Sequence, residues 1–97
     1  MQYNYEWDSN KANLNIRKHG VSFERAAAIF LDPRAVAIFD EEHSHYEERW
    51  ITAGIDSAGI LVVVCHTFNQ NTDGTVRIRI FSARKATKQE SKQYQEE

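Results

Sequence analysis

Residues 60–82 read Ile60-Leu61-Val62-Val63-Val64-Cys65-His66-Thr67-Phe68, then Asn69-Gln70-Asn71-Thr72-Asp73-Gly74, then Thr75-Val76-Arg77-Ile78-Arg79-Ile80-Phe81-Ser82. From Ile60 to Cys65 every residue is apolar, so a strand there is apolar on both faces, as a central strand covered on both sides must be. The last segment alternates instead. Val76, Ile78 and Ile80 point one way and Arg77, Arg79 and Phe81 the other, because successive side chains of a strand take opposite faces. The polar segment between them is a turn. A sheet with a fully covered middle strand and a neighbour whose outer face carries arginines follows from this stretch alone.

Working upstream, Arg49 to Ile55 forms a hairpin with Gly59 to Phe68 around Asp56-Ser57-Ala58-Gly59. Ala35 to Phe39 reads as another strand. Tyr3, Tyr5 and Trp7 alternate with polar residues as a short strand with one aromatic face. Asp8 caps a helix over Ser9 to His19, which Gly20 ends and Arg17, Lys18 and His19 suit electrostatically. Ser22 caps a second helix, whose apolar stripe is Phe23, Ala26, Ala27, Phe30 and Leu31, and Asp32-Pro33 stops it. Downstream, Thr87-Lys88-Gln89-Glu90 is a capping box that opens a C-terminal helix. The order β-α-α-β-β-β-β-α predicts an α+β fold, a mostly antiparallel sheet with helices on one face. All 97 residues fit one domain, since a second core would have too few.

Composition narrows the function. Apolar residues are 41% and charged residues 27%, ordinary for a globular chain. No apolar run exceeds six residues, so no membrane span is expected, and the first residues lack a signal-peptide pattern. The expectation is a cytoplasmic protein. The single cysteine, Cys65, has no internal disulfide partner and reads as a small buried residue. His43, His45, Cys65 and His66 match no zinc spacing, so no metal or other cofactor is expected. His66 reads as a satisfied core-edge histidine. Net charge is −2, but Asp40 to Glu48 carries −5 and Val76 to Lys92 carries +5. An acidic loop and a basic C-terminal third therefore share one small chain.

Tyr5-Glu6-Trp7-Asp8, Lys11, Asn15, Lys18-His19-Gly20-Val21-Ser22-Phe23, Asp32-Pro33, Glu48-Arg49 and Ile80-Phe81-Ser82-Ala83-Arg84-Lys85-Ala86-Thr87 resemble, in order, the motifs of the BrnT family of bacterial toxins. The resemblance implies a RelE-like ribonuclease fold and a toxin that arrests translation by cutting RNA. It also implies neutralisation by a BrnA-type antitoxin in a 2:2 complex, with operator DNA reached only through the antitoxin. The chain departs from strongly basic RelE-like toxins in its pI of about 6.1. A catalytically inactive, antitoxin-binding co-repressor is the alternative.

Metal-independent RNA cleavage uses the RNA's own 2′-hydroxyl as nucleophile. The protein must assist proton removal, stabilise the phosphorane's charge and protonate the leaving oxygen. Arginine suits the second task, because its planar fork grips two phosphate oxygens and keeps its charge. With the resemblance, this points to Arg49, Arg79 and Arg84 as catalytic residues. Lys18, His19, Arg77, Phe81 and Lys85 are the RNA-binding candidates, with Phe81 expected to stack on a base. Trp7, Trp50 and Phe68 read mostly as core, and Tyr94 as packing on the sheet.

Overall fold

The computed structural model describes residues 2–96. Its strands are β1 (Tyr3–Glu6), β2 (Val36–Phe39), β3 (Arg49–Ile55), β4 (Leu61–Thr67), β5 (Asn69–Gln70) and β6 (Val76–Lys85). Its helices are α1 (Ser9–His19), α2 (Phe23–Ala28, prolonged by a 3-10 turn over Ile29–Leu31) and α3 (Lys88–Glu96). The sheet order is β1-β6-β4-β3-β2, with β5 also paired to β6. Only the β1–β6 pair is parallel. The fold is α+β with a mostly antiparallel sheet.

Local chemistry sets most boundaries. Asp8 accepts the Lys11 N–H at 2.9 Å as N-cap of α1, and Gly20 ends that helix at φ 71°, where glycine is unstrained. Ser22 caps α2 by accepting the Arg25 N–H at 3.1 Å. Thr87 and Glu90 form the reciprocal capping box, with Thr87 N–H donating to Glu90 and Glu90 N–H to the Thr87 hydroxyl. Gly54 has a different reason. A Cβ there would meet Ile29 Cβ and its carbonyl oxygen at 3.0 Å, so glycine lets the 3-10 turn press onto β3.

The core lies between the sheet and α1 with α2. Ala12, Val21, Phe23, Ala26 and Ile29 pack on Val62, Val64, Val76, Ile78, Ile80 and Ala83, all buried. Burial of each large side chain contributes roughly 1.5–3 kcal/mol. The expectation of helices on one face holds for α1 and α2 but not for α3. The third helix lies against the other face, where Gln93 and Tyr94 line an apolar groove with Val36, Ile38, Ile51, Ala53 and Val63. That placement explains the doubly apolar β4: Val62 and Val64 meet α1 and α2, while Val63 faces the α3 side.

Two polar devices close the structure. β1 stops pairing with β6 at Arg79, which leaves the β6 edge bare further on. There the buried Asn15 of α1 takes over. Its amide donates to the Ala83 and Val21 carbonyls at 2.8 and 2.9 Å, and its oxygen accepts the Ala83 N–H at 3.1 Å. His66 is buried, as expected of it. Its Nδ1–H donates to the Thr67 carbonyl at 2.7 Å, and its Nε2 accepts the Thr52 hydroxyl at 2.7 Å. Burial holds its pKa below the usual histidine value, against the opposing pull of the Thr67 carbonyl.

Asn15→Ala leaves buried backbone groups unpaired and is expected to cost about 2–4 kcal/mol of stability, measured by urea denaturation. Because the folded state disfavours protonated His66, the unfolded chain binds more protons below pH 6.5. Stability is therefore expected to fall as pH drops from about 7 towards 5. An unfolding midpoint that stays flat across that range contradicts the assignment.

Candidate nucleic-acid interface

The sheet face opposite α1 and α2 carries a row of residues across three strands. Arg49 of β3 stands opposite Thr67 of β4, and the Thr67 hydroxyl accepts the backbone N–H of Arg79 of β6 at 3.0 Å. Two strand spacings separate the arginines, about 10 Å. Their long side chains close that gap over one ring. The guanidinium carbon of Arg49 lies 4.1 Å from the Phe81 centroid and that of Arg79 5.0 Å away. Lys11 of α1 approaches the same ring at 5.8 Å. Cation–π attraction thus holds three like charges around one half-buried aromatic.

A β-bulge creates this arrangement. His66 pairs with Ile80 and Cys65 with Ser82, so Phe81 is the extra residue of β6. Such bulges re-aim side chains. Beyond it the alternation resets, so Ala83 turns into the core and Arg84 turns out. Strict alternation from Val76 would have sent Arg84 inward.

Glu47 completes the cluster. Its Oε1 accepts from Arg79 Nη2 at 2.6 Å and lies 3.9 Å from Arg49 Nη2. The arginine side chains remain 37% (Arg49) and 45% (Arg79) exposed. Glu47 and Lys11 are the members that residue-by-residue reading missed as site residues. The acidic run before Arg49 and the place of Lys11 among the motifs were the available signals.

The other candidates are distributed around this centre. Lys18 and His19 line a groove of about 540 Å³ with Lys11, Asn15, Phe81 and Ser82, so the end of α1 borders the cluster. Arg77 lies on the same face, with its Nε 3.9 Å from Glu6. Lys85 is exposed at the end of β6. Arg84 is engaged elsewhere: its Nη1 and Nη2 donate to the Glu90 carboxylate at 2.8 and 2.9 Å. It stands about 13–16 Å from Arg79 along the strand.

Among the residues read as structural, Trp7 packs edge-on to Phe23, Trp50 packs on Phe39, and Phe68 stays partly exposed beside Tyr3. The Tyr94 hydroxyl donates to Asp32 at 2.6 Å, anchoring α3. Burial raises the Asp32 pKa, but the Tyr94 hydroxyl and the Ile55 and Arg34 N–H groups outweigh it and hold the carboxyl below its usual range.

A family model described as the ribonuclease toxin BrnT of type II toxin–antitoxin systems matches residues 7–90. The chain belongs to the BrnT family. The matched range takes in every element that builds the cluster: α1 with Lys11 and Asn15, β3 with Arg49, and the bulged end of β6. The crystal structure of the Brucella abortus ribonuclease toxin BrnT shares the fold, with a TM-score of 0.62 and 19% identity over 91% of this chain and 100% of that one. No curated protein sequence matches this chain. No helix among the described residues is long and apolar enough to cross a membrane.

The Arg84 pair, first, and then the Thr87 N–H and hydroxyl hold the Glu90 pKa down to about 2 against the effect of burial. A depressed carboxylate stabilises above its unfolded pKa and loses that effect as pH falls through the folded one. The tether of α3 is expected to weaken between pH 4.5 and about 2. Helical ellipticity followed through that window should fall in wild type, and Glu90→Gln should lack this step.

Proposed function

We propose that this single domain is a metal-independent endoribonuclease that arrests translation in the cytoplasm. The observation that supports it is the convergence of Arg49 and Arg79 on Phe81, with both side chains partly exposed on a stretch of sheet that α3 leaves uncovered. Two guanidiniums set side by side match adjacent oxygens of one phosphodiester. In the reaction the RNA 2′-oxygen bonds to phosphorus, the 5′-oxygen leaves, and one proton moves from the first oxygen to the second. Charge accumulates on the non-bridging oxygens between these events. Fixed guanidiniums aimed there stabilise the transition state more than the ground state.

Phe81 serves as the platform that orients the arginines, in place of the base-stacking role the sequence suggested. Lys11, Lys18, His19, Arg77 and Lys85 supply charge along the path of the flanking RNA backbone. In this reading Arg84 anchors α3 through Glu90 and does not touch the reacting phosphate. Membership of a type II toxin family supports a neutralising antitoxin. We assign it the BrnA type in a 2:2 complex that covers the arginine face, with operator DNA bound through the antitoxin.

Arg49→Ala and Arg79→Ala are each expected to lower cleavage by two or more orders of magnitude and to relieve growth arrest, with unchanged thermal unfolding. Arg84→Ala should retain cleavage and lose stability. Cleavage of purified RNA in the presence of EDTA checks metal independence. Intact RNA under every condition, with antitoxin binding preserved, favours the co-repressor instead.

A further inference from the structure

We infer that Glu47 is a built-in competitor of the substrate phosphate: in the free protein its carboxylate occupies the place between Arg49 and Arg79 that an RNA phosphodiester takes on binding. This rests on the reading of those arginines as phosphate-holding. A carboxylate and a phosphate present the same feature to a guanidinium, a pair of anionic oxygens in one plane. Glu47 Oε1 meets Arg79 at 2.6 Å and faces Arg49 at 3.9 Å, so one oxygen already answers both cations. Both guanidiniums stay on the Phe81 ring, the orientation that substrate binding needs. Entry of a phosphate requires the carboxylate to leave.

The chain around Glu47 allows that exchange. Ser44 closes the neck of the acidic segment: its hydroxyl donates to the Asp40 carbonyl and accepts the Arg49 N–H at 3.0 Å. Asp40 N–H donates to the Arg49 carbonyl at 2.8 Å. Between those anchors Tyr46 and Glu48 are exposed, and the Glu47 carboxylate bonds to arginine alone among the described residues. Its side chain can turn out to water without breaking a strand. The acidic segment thereby gains a function through one residue, Glu47. It lowers the affinity of an otherwise open arginine pair and makes binding selective for ligands that offer phosphates on several contacts at once.

The test measures binding of a fluorescently labelled all-2′-deoxy oligonucleotide, which cannot be cleaved, by anisotropy at fixed low salt. Wild type, Glu47→Gln, Arg79→Ala and the double variant are compared. Removing the competitor should tighten binding about three- to tenfold, the size of a partly exposed ion pair plus relief of charge repulsion. The gain should vanish when Arg79 is also absent. Equal or weaker binding by Glu47→Gln, with wild-type binding still dependent on Arg79, overturns the competitor role and leaves the arginine site standing. Binding unaffected by Arg79→Ala in either background overturns the arginine site and the competitor with it.

Discussion

Three hydrogen bonds from one buried amide hold this molecule in its working shape. Asn15 serves as the missing neighbour of β6, answering Ala83 on both its N–H and its carbonyl where β1 has already turned away into α1. A bare strand edge buried under a helix would leave those groups unpaired at a cost of about 1–3 kcal/mol each. By meeting them from a helix rather than a strand, the fold brings α1 across the end of β6. That crossing places Lys11 beside Phe81 and aligns the Lys18–His19 end of the helix with the same groove. The bulge at Phe81 sits between this clamp and the last parallel pairing at Arg79. It is therefore held at both ends.

The site shows how a slightly acidic protein can present a cationic surface. Net charge governs long-range behaviour, but screening limits its reach to about 10 Å at 0.1 M salt. Within that distance the arginines meet an aromatic ring, a lysine and one glutamate. Most of the −5 segment points its remaining acids to solvent, so only Glu47 enters the local balance. The opposite ends of the charge distribution are neighbours in space, although some thirty residues separate them in the chain.

Two arginines of similar sequence character reach different situations for reasons of packing. Arg79 lies before the bulge, on a part of that face that α3 does not cover, and meets the half-exposed Glu47. Arg84 lies after it, under α3, and finds the capping-box carboxylate of Glu90 as a bidentate partner. Glu90 thereby serves the start of its own helix and the docking of that helix on the sheet. The capping box was legible from Thr87 and Glu90, whereas its second partner was not.

The elements other than the two-residue β5, which reads as part of a turn, were determined by the sequence alone, with their caps and the outward alternation of Arg77 and Arg79. Each depends on the 3.6- or two-residue period of a local backbone and on the chemistry of a few adjacent residues. The ordered motifs also identified the family before any coordinates. Only the tertiary structure decided that α3 crosses to the far face, that one extra residue at Phe81 turns Arg84 outward, and that Glu47 and Lys11 join the arginines. Those outcomes depend on sheet order and register, which bring together residues dozens of positions apart. A single-residue bulge leaves no mark on composition or periodicity, yet it redirects every side chain that follows.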